Sequence, residues 1–267
     1  MKRTLLAAVL CCLPGLVPGV AWAQAEQQAL VDRATLAVQE MTNLQNGTDA
    51  RNVLGHARAV LVCPQVFRAG FLFGGSGGSC VLVARDGGGS WGSPAFYGIG
   101  SASFGFQAGI QDAQIVLFIM NDRGLTAVMD DQFKLGADAS ATFVNLGGGV
   151  EGATTAALRA DIVGFTRARG LFAGIALSGS LITQKTDWNQ LYYGRPLAGR
   201  QVVVNAEAAN PAADPLRLAL LQAGAPPQPL AQAAPYAPPP DAGYNVGAAA
   251  PRGSVQAQPL PPPPRRY

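Results

Sequence analysis

The chain has 267 residues, with 19 Lys+Arg against 16 Asp+Glu and a single His, so the net charge is +3 and only 13% of residues are charged, against a usual globular share of roughly 25%. A near-balanced charge with no basic block excludes a dedicated nucleic-acid binder, whose affinity rests on many phosphate contacts. An apolar content of 49% excludes a wholly disordered chain.

Met1-Lys2-Arg3 opens the chain with positive charge, and residues 5–17 are almost all apolar. Ala21-Trp22-Ala23 then offers small residues at the two positions a signal peptidase inspects, so residues 1–23 read as a secretory signal cleaved after Ala23. Pro14, Gly15, Pro18 and Gly19 interrupt the run, which is too short for the roughly 20 residues of a membrane span. The expected location is periplasmic or secreted, peripheral to a membrane. At the other end, residues 225–267 hold 13 of the 20 prolines. That composition predicts a disordered, extended tail, either a spacer or a tether to envelope proteins. Residues 24–224 remain as one domain with a real core. They carry 14 basic and 15 acidic residues, a net of −1.

Within the domain, Leu30, Ala34, Ala37 and Met41 recur at helical spacing, with Val31 and Val38 beside them, which predicts an amphipathic helix over residues 26–41. Thr48 or Asp49 caps a second helix running through Val53, Leu54, Ala57, Val60 and Leu61 and stopped by Pro64. Residues 69–73 and 80–84 read as a hairpin closed by the glycine-rich run 74–78. Asp86-Gly87-Gly88-Gly89 is the next turn. Glycines alternate with apolar residues over 96–108, and the continuous apolar run 115–120 predicts a strand buried on both faces. A short helix over 125–130 follows, then alternating segments at 133–144, 157–166 and 171–183. Short helices are expected after Thr186-Asp187 and over 216–222, where Pro215 sits at the first helical position. Strands outnumber helices and short turns join them. The expected fold is α+β: a mainly antiparallel sheet domain with N-terminal helices and short additional helices.

Catalytic and metal-binding patterns are sparse. His56 is the sole imidazole, is expected to be a partly buried structural residue, and has no G-x-S-x-G partner motif. Asp130-Asp131 is a carboxylate pair ending a short helix, with no second carboxylate placed across a cleft. One His and two domain cysteines do not make a closed tetrahedral metal site. Residues 147–152 fit G-x-G-x-x-G nominally, but strand-like sequence follows where a dinucleotide site needs a helix, so no cofactor is expected. Cys63 and Cys80 either form a disulfide in an oxidising compartment or remain buried thiols. Five basic residues are candidates for anionic ligands: Arg33 on the first helix, Lys134, Arg167 and Arg169 at the spacing of one strand face, and Lys185.

Several segments in order carry a resemblance. They are His56-Ala57-Arg58-Ala59-Val60-Leu61-Val62-Cys63-Pro64, Val66-Phe67-Arg68-Ala69-Gly70-Phe71, Trp91-Gly92-Ser93-Pro94-Ala95 and Gly105-Phe106-Gln107-Ala108-Gly109. Further on come Phe133-Lys134-Leu135-Gly136-Ala137-Asp138, Arg169-Gly170-Leu171-Phe172-Ala173-Gly174-Ile175 and Tyr192-Tyr193-Gly194. Together, over about residues 30–222, they resemble the SYLF domain, the lipid-binding module also described as the actin-binding domain of yeast endocytic proteins. The resemblance implies binding without catalysis: phosphoinositide-type head groups or membrane surfaces, helped in eukaryotic members by an N-terminal amphipathic helix, and an exported protein among bacterial members. Actin is not an expected partner in an exported compartment. The matching helix here has one basic residue, Arg33, against Glu26, Asp32 and Glu40, and no aromatic residue. That composition favours packing of its apolar stripe on the sheet over insertion into an anionic membrane.

Overall fold

The computed structural model describes residues 19–43, 47–70, 73–104, 109–130, 132–145, 160–170 and 179–225. Most of the expected signal segment, residues 147–152 and the tail from residue 226 lie outside the described residues. Two helices, α1 (Gly19–Asn43) and α2 (Gly47–His56), lead into the strands β1 (Ala59–Gly70), β2 (Phe73–Ala84), β3 (Ala95–Phe104) and β4 (Gly109–Ile119). Helix α3 (Asp122–Met129) separates these from β5 (Gln132–Lys134), β6 (Ala141–Asn145), β7 (Ile162–Gly170) and β8 (Leu181–Gln184). Three helices follow: α4 (Thr186–Tyr193), α5 (Gly199–Val203) and α6 (Asp214–Gly224). The strands form one sheet in the order β5-β8-β3-β2-β1-β4-β7-β6. Its pairings are antiparallel except β6 with β7. The chain is therefore α+β and mainly antiparallel, as its strand-rich pattern predicts.

Alternation along each strand sends side chains to two separate cores. On one face Val60, Val62, Val81, Val83, Phe96, Val116 and Phe118 pack with Leu30, Val31, Ala34, Ala37, Val38 and Met41 of α1 and with α2 and α6. On the other face Leu61, Leu82, Tyr97, Ile115 and Leu117 pack with Leu125, Val128 and Met129 of α3 and with Val202 and Val203 of α5. Strand segments covered on both sides read as continuous apolar runs, which accounts for 115–119 and equally for 59–63 and 81–84.

Three local expectations change. Residues 60–64 belong to β1, where a second helix was expected to end at Pro64. A short continuous apolar run has no period of its own, so helix and buried strand look alike in it. Pro64 sits where β1 carries one extra residue relative to both β2 and β4. A bulge is where an internal strand tolerates a residue without an N–H. The glycines 74–78 are not the hairpin turn; they lie within β2, paired with residues 66–70. A Cβ at Gly78 would collide with the Gln65 carbonyl at the bulge, so the strand there needs glycine. His56 is exposed at the end of α2 rather than partly buried, with Nδ1 against the Asn52 carbonyl at 2.8 Å. The alternative left open for the cysteines resolves to a disulfide, Cys63–Cys80, joining β1 to β2.

Candidate binding surface

The apolar stripe of α1 is fully committed to the core, with Leu30, Val31, Ala34, Ala37, Val38 and Met41 all buried. What α1 presents outward is polar, apart from Leu36 and the small Ala25 and Ala29. The sheet is longer than the helices that cover it. Strand β1 is buried over its first half and largely open over its second, and β2 shows the reverse pattern. The open end of the sheet therefore carries side chains that meet solvent on the α1 side. Paired residues of neighbouring strands share a face. Phe67 pairs with Gly77 and Asp112, and Ala69 pairs with Gly75 and Ile110.

Two of the five basic candidates meet here. Arg33 from α1 and Arg167 from β7 line one cavity of about 260 Å³, with Leu36, Glu40, Gln65, Asp112 and Gln114. Arg167 Nη1 donates to Glu40 Oε2 at 3.0 Å, and Gln114 Nε2 donates to the same oxygen at 3.1 Å. Arg33 Nε donates to the Ala29 carbonyl at 3.2 Å. Among the described residues the two guanidinium groups face two carboxylates, Glu40 and Asp112, so their charges balance. Beside it, Leu36 (58% exposed), Phe67 (49%), Ile110 (63%) and Phe73 (72%) continue the same side of the sheet. These large exposed apolar residues escaped the sequence reading because strand alternation does not say how far the covering helices reach.

Of the remaining candidates, Lys134 and Lys185 do not join this cluster. Arg169 lies on β7 at the register position opposite Asp112, and its side chain is outside the described residues. Lys185 is on the far side of α1. Its Nζ donates to Ser79 Oγ at 2.8 Å and sits 3.9 Å from the Trp188 ring centroid. Burial pushes its ammonium below the ordinary lysine value, against an upward pull from Glu26. Lys134 is exposed on β5, the strand at the opposite edge of the sheet from β6 and β7. Cys63, bonded to Cys80, is not a free nucleophile. Asp130 is exposed, and Asp131 is outside the described residues. Among the described residues no group of three or more His, Cys, Asp or Glu is placed to hold a metal ion. Among the same residues no helix is long and apolar enough to cross a membrane.

Fold and surface together define an α+β domain whose open sheet end mixes ionic and large apolar side chains. Residues 100–223 match the Ysc84 family model, described as Las17-binding protein actin regulator. Over 169 residues the chain is 31% identical to SH3 domain-containing YSC84-like protein 1 of Xenopus laevis, spanning 61% of this chain and 50% of that protein. The human protein of the same name is 30% identical over 167 residues, 60% of this chain and 48% of the relative. Protein YSC84 of Saccharomyces cerevisiae is 29% identical over 167 residues, 61% of this chain and 36% of the relative. Residues 100–223 thus match the Ysc84 family domain, in agreement with the resemblance of the ordered segments to the SYLF domain. It spans half or less of the length of these curated relatives. No solved structure matches the chain.

Proposed function

We propose that the domain is an exported, non-enzymatic module that docks on membrane surfaces and takes phospholipid head groups as ligands. The supporting observation is the continuity of Leu36, Phe67, Ile110 and Phe73 with the Arg33/Arg167 cavity. Contiguous exposed apolar residues with a polar rim mark interaction sites. A bilayer interface accommodates such a mixture, with rings and aliphatic chains below the head groups and guanidinium groups among the phosphates. Full burial of one such side chain contributes about 1.5–3 kcal/mol, so a few partly inserted residues suffice for reversible docking. The α1 stripe takes no part, because it packs on the sheet. The family is described as a Las17-binding actin regulator and one yeast relative is named LAS seventeen-binding protein 3, which supports a role without catalysis.

Vesicle co-sedimentation of the mature protein tests this reading. The protein is expected to pellet with phospholipid vesicles, and Phe73→Ser combined with Ile110→Ser is expected to weaken binding at least about tenfold, the equivalent of 1.4 kcal/mol, with an unchanged melting temperature. Absence of pelleting with both zwitterionic and anionic vesicles overturns it. Export is checked by the N-terminus of the protein recovered from the producing cell, expected at Gln24.

A further inference from the structure

At the opposite end of the strands lies a larger cavity, of about 500 Å³. It is enclosed by the turn after β2, helix α3, the segment around α5 and helix α6. Four arginines line it, Arg58, Arg85, Arg200 and Arg217, against two aspartates, Asp86 and Asp122. The aspartates are already engaged. Asp122 accepts from Arg58 Nε at 2.8 Å, and Asp86 Oδ1 accepts from the Gly88 and Ser90 backbone N–H groups of its own turn. Arg217 is held by Asp214 and by the Trp91 carbonyl.

Two guanidinium groups remain without a carboxylate. Arg85 is half-buried, with its charge 4.4 Å above the Trp91 ring and its Nη atoms donating to the Gly89 and Leu54 carbonyls. The exposed Arg200 side chain has no hydrogen-bond or ion-pair partner among the described residues. Donors are in surplus as well as charge, because Arg85 Nε and Trp91 Nε1 are buried with no acceptor. A half-buried cation lacking an anion is unfavourable until one arrives. The wall between the arginines is apolar, built from Leu125, Met129 and Val202, and the volume is in the range of small-molecule sites.

We propose that this cavity binds a phosphomonoester dianion carried on a compact apolar body. Arg85 and Arg200 hold the dianion, and Leu125, Met129 and Trp91 accommodate the body. Two uncompensated charges match a dianion better than a carboxylate, and the planar guanidinium fork suits phosphate oxygens. The site is separate from the membrane-docking face, and either reading can fail without the other.

Calorimetric titration of the full chain tests it, with phenyl phosphate, benzoate and monomeric short-chain phosphatidic acid as probes. Phenyl phosphate is expected to bind at least about tenfold tighter than benzoate. Arg200→Ala, which removes no hydrogen bond or ion pair among the described residues, is expected to weaken it by about tenfold or more at an unchanged melting temperature, while Arg167→Ala leaves it unchanged. Tighter binding of phosphatidic acid than of phenyl phosphate assigns a lipid source to the phosphate; equal or weaker binding assigns a soluble one. Absence of phenyl phosphate binding at millimolar concentration, equal binding of benzoate, or an unaffected Arg200→Ala protein overturns the proposal.

Discussion

Asp161 ties together three parts of the chain. It accepts from Asn121 Nδ2 at 2.9 Å and from the Ser140 N–H and hydroxyl at 3.0 and 2.8 Å. Asn121 in turn caps α3 by accepting from the Gly124 N–H. The carboxyl is held below the ordinary aspartate range, first by the Asn121 hydrogen bond and then by Ser140. A carboxyl with a lowered folded pKa stabilises the fold fully above its unfolded value, and that contribution fades as pH falls through the folded value. Asp161→Asn is therefore expected to cost on the order of 3 kcal/mol near neutral pH. Urea midpoints of the two proteins should converge as pH drops below about 4, and a difference that stays constant with pH would contradict this account. Nothing in the local sequence marks Asp161 for that role, because both its partners come from other segments.

At the level of elements, the disulfide and the bulge sit together in the central strand. Cys63 and Cys80 lie on the paired strands β1 and β2 with a sequence separation of 17, and Pro64 follows directly. A loop of that size, closed by a disulfide, is stabilised by about 3 kcal/mol through the unfolded state. Unfolding in denaturant with and without reductant should differ by about that amount, and a thiol titration of the unreduced protein should find neither cysteine. The extra residue at Pro64 also shifts the alternation of β1, so that Gln65 and Phe67 face α1 and Val66 returns to the other core. Phe67 owes its place on the α1 side to that one residue. In α1 the agreement between sequence and structure is direct: the periodic stripe is the buried stripe, and Arg33 is outside it.

For the whole molecule, charge is nearly balanced in the folded part, and the Arg33/Arg167 cavity is balanced as well. Docking on membranes should accordingly depend weakly on salt, since screening acts on net attraction. Raising the ionic strength should leave vesicle binding nearly unchanged, and a steep loss would point to electrostatic recruitment instead. Glu40→Gln removes the carboxylate that Arg167 and Gln114 share. It should raise affinity for anionic vesicles by no more than about fivefold, the ceiling set by an exposed ion pair of about 1 kcal/mol, with no effect on zwitterionic ones. The arginine cavity at the other end is the exception to this balance.

The sequence by itself determined the class of fold, the helical stripe of α1, a doubly buried strand within 115–120 and the resemblance to the SYLF domain. Each is carried by a pattern written within a few tens of residues, or by segments that keep their order along the chain. Only the tertiary structure decided that residues 60–64 are strand, that Cys63 meets Cys80, and that Arg33 joins Arg167 while Lys134 and Lys185 stay apart. The same holds for Arg58, Arg85, Arg200 and Arg217, which no local motif connects. Periodicity reports which side of an element is apolar. Which distant elements cover that side, and where they stop covering it, depends on strand order and register, and these are set by long-range pairing.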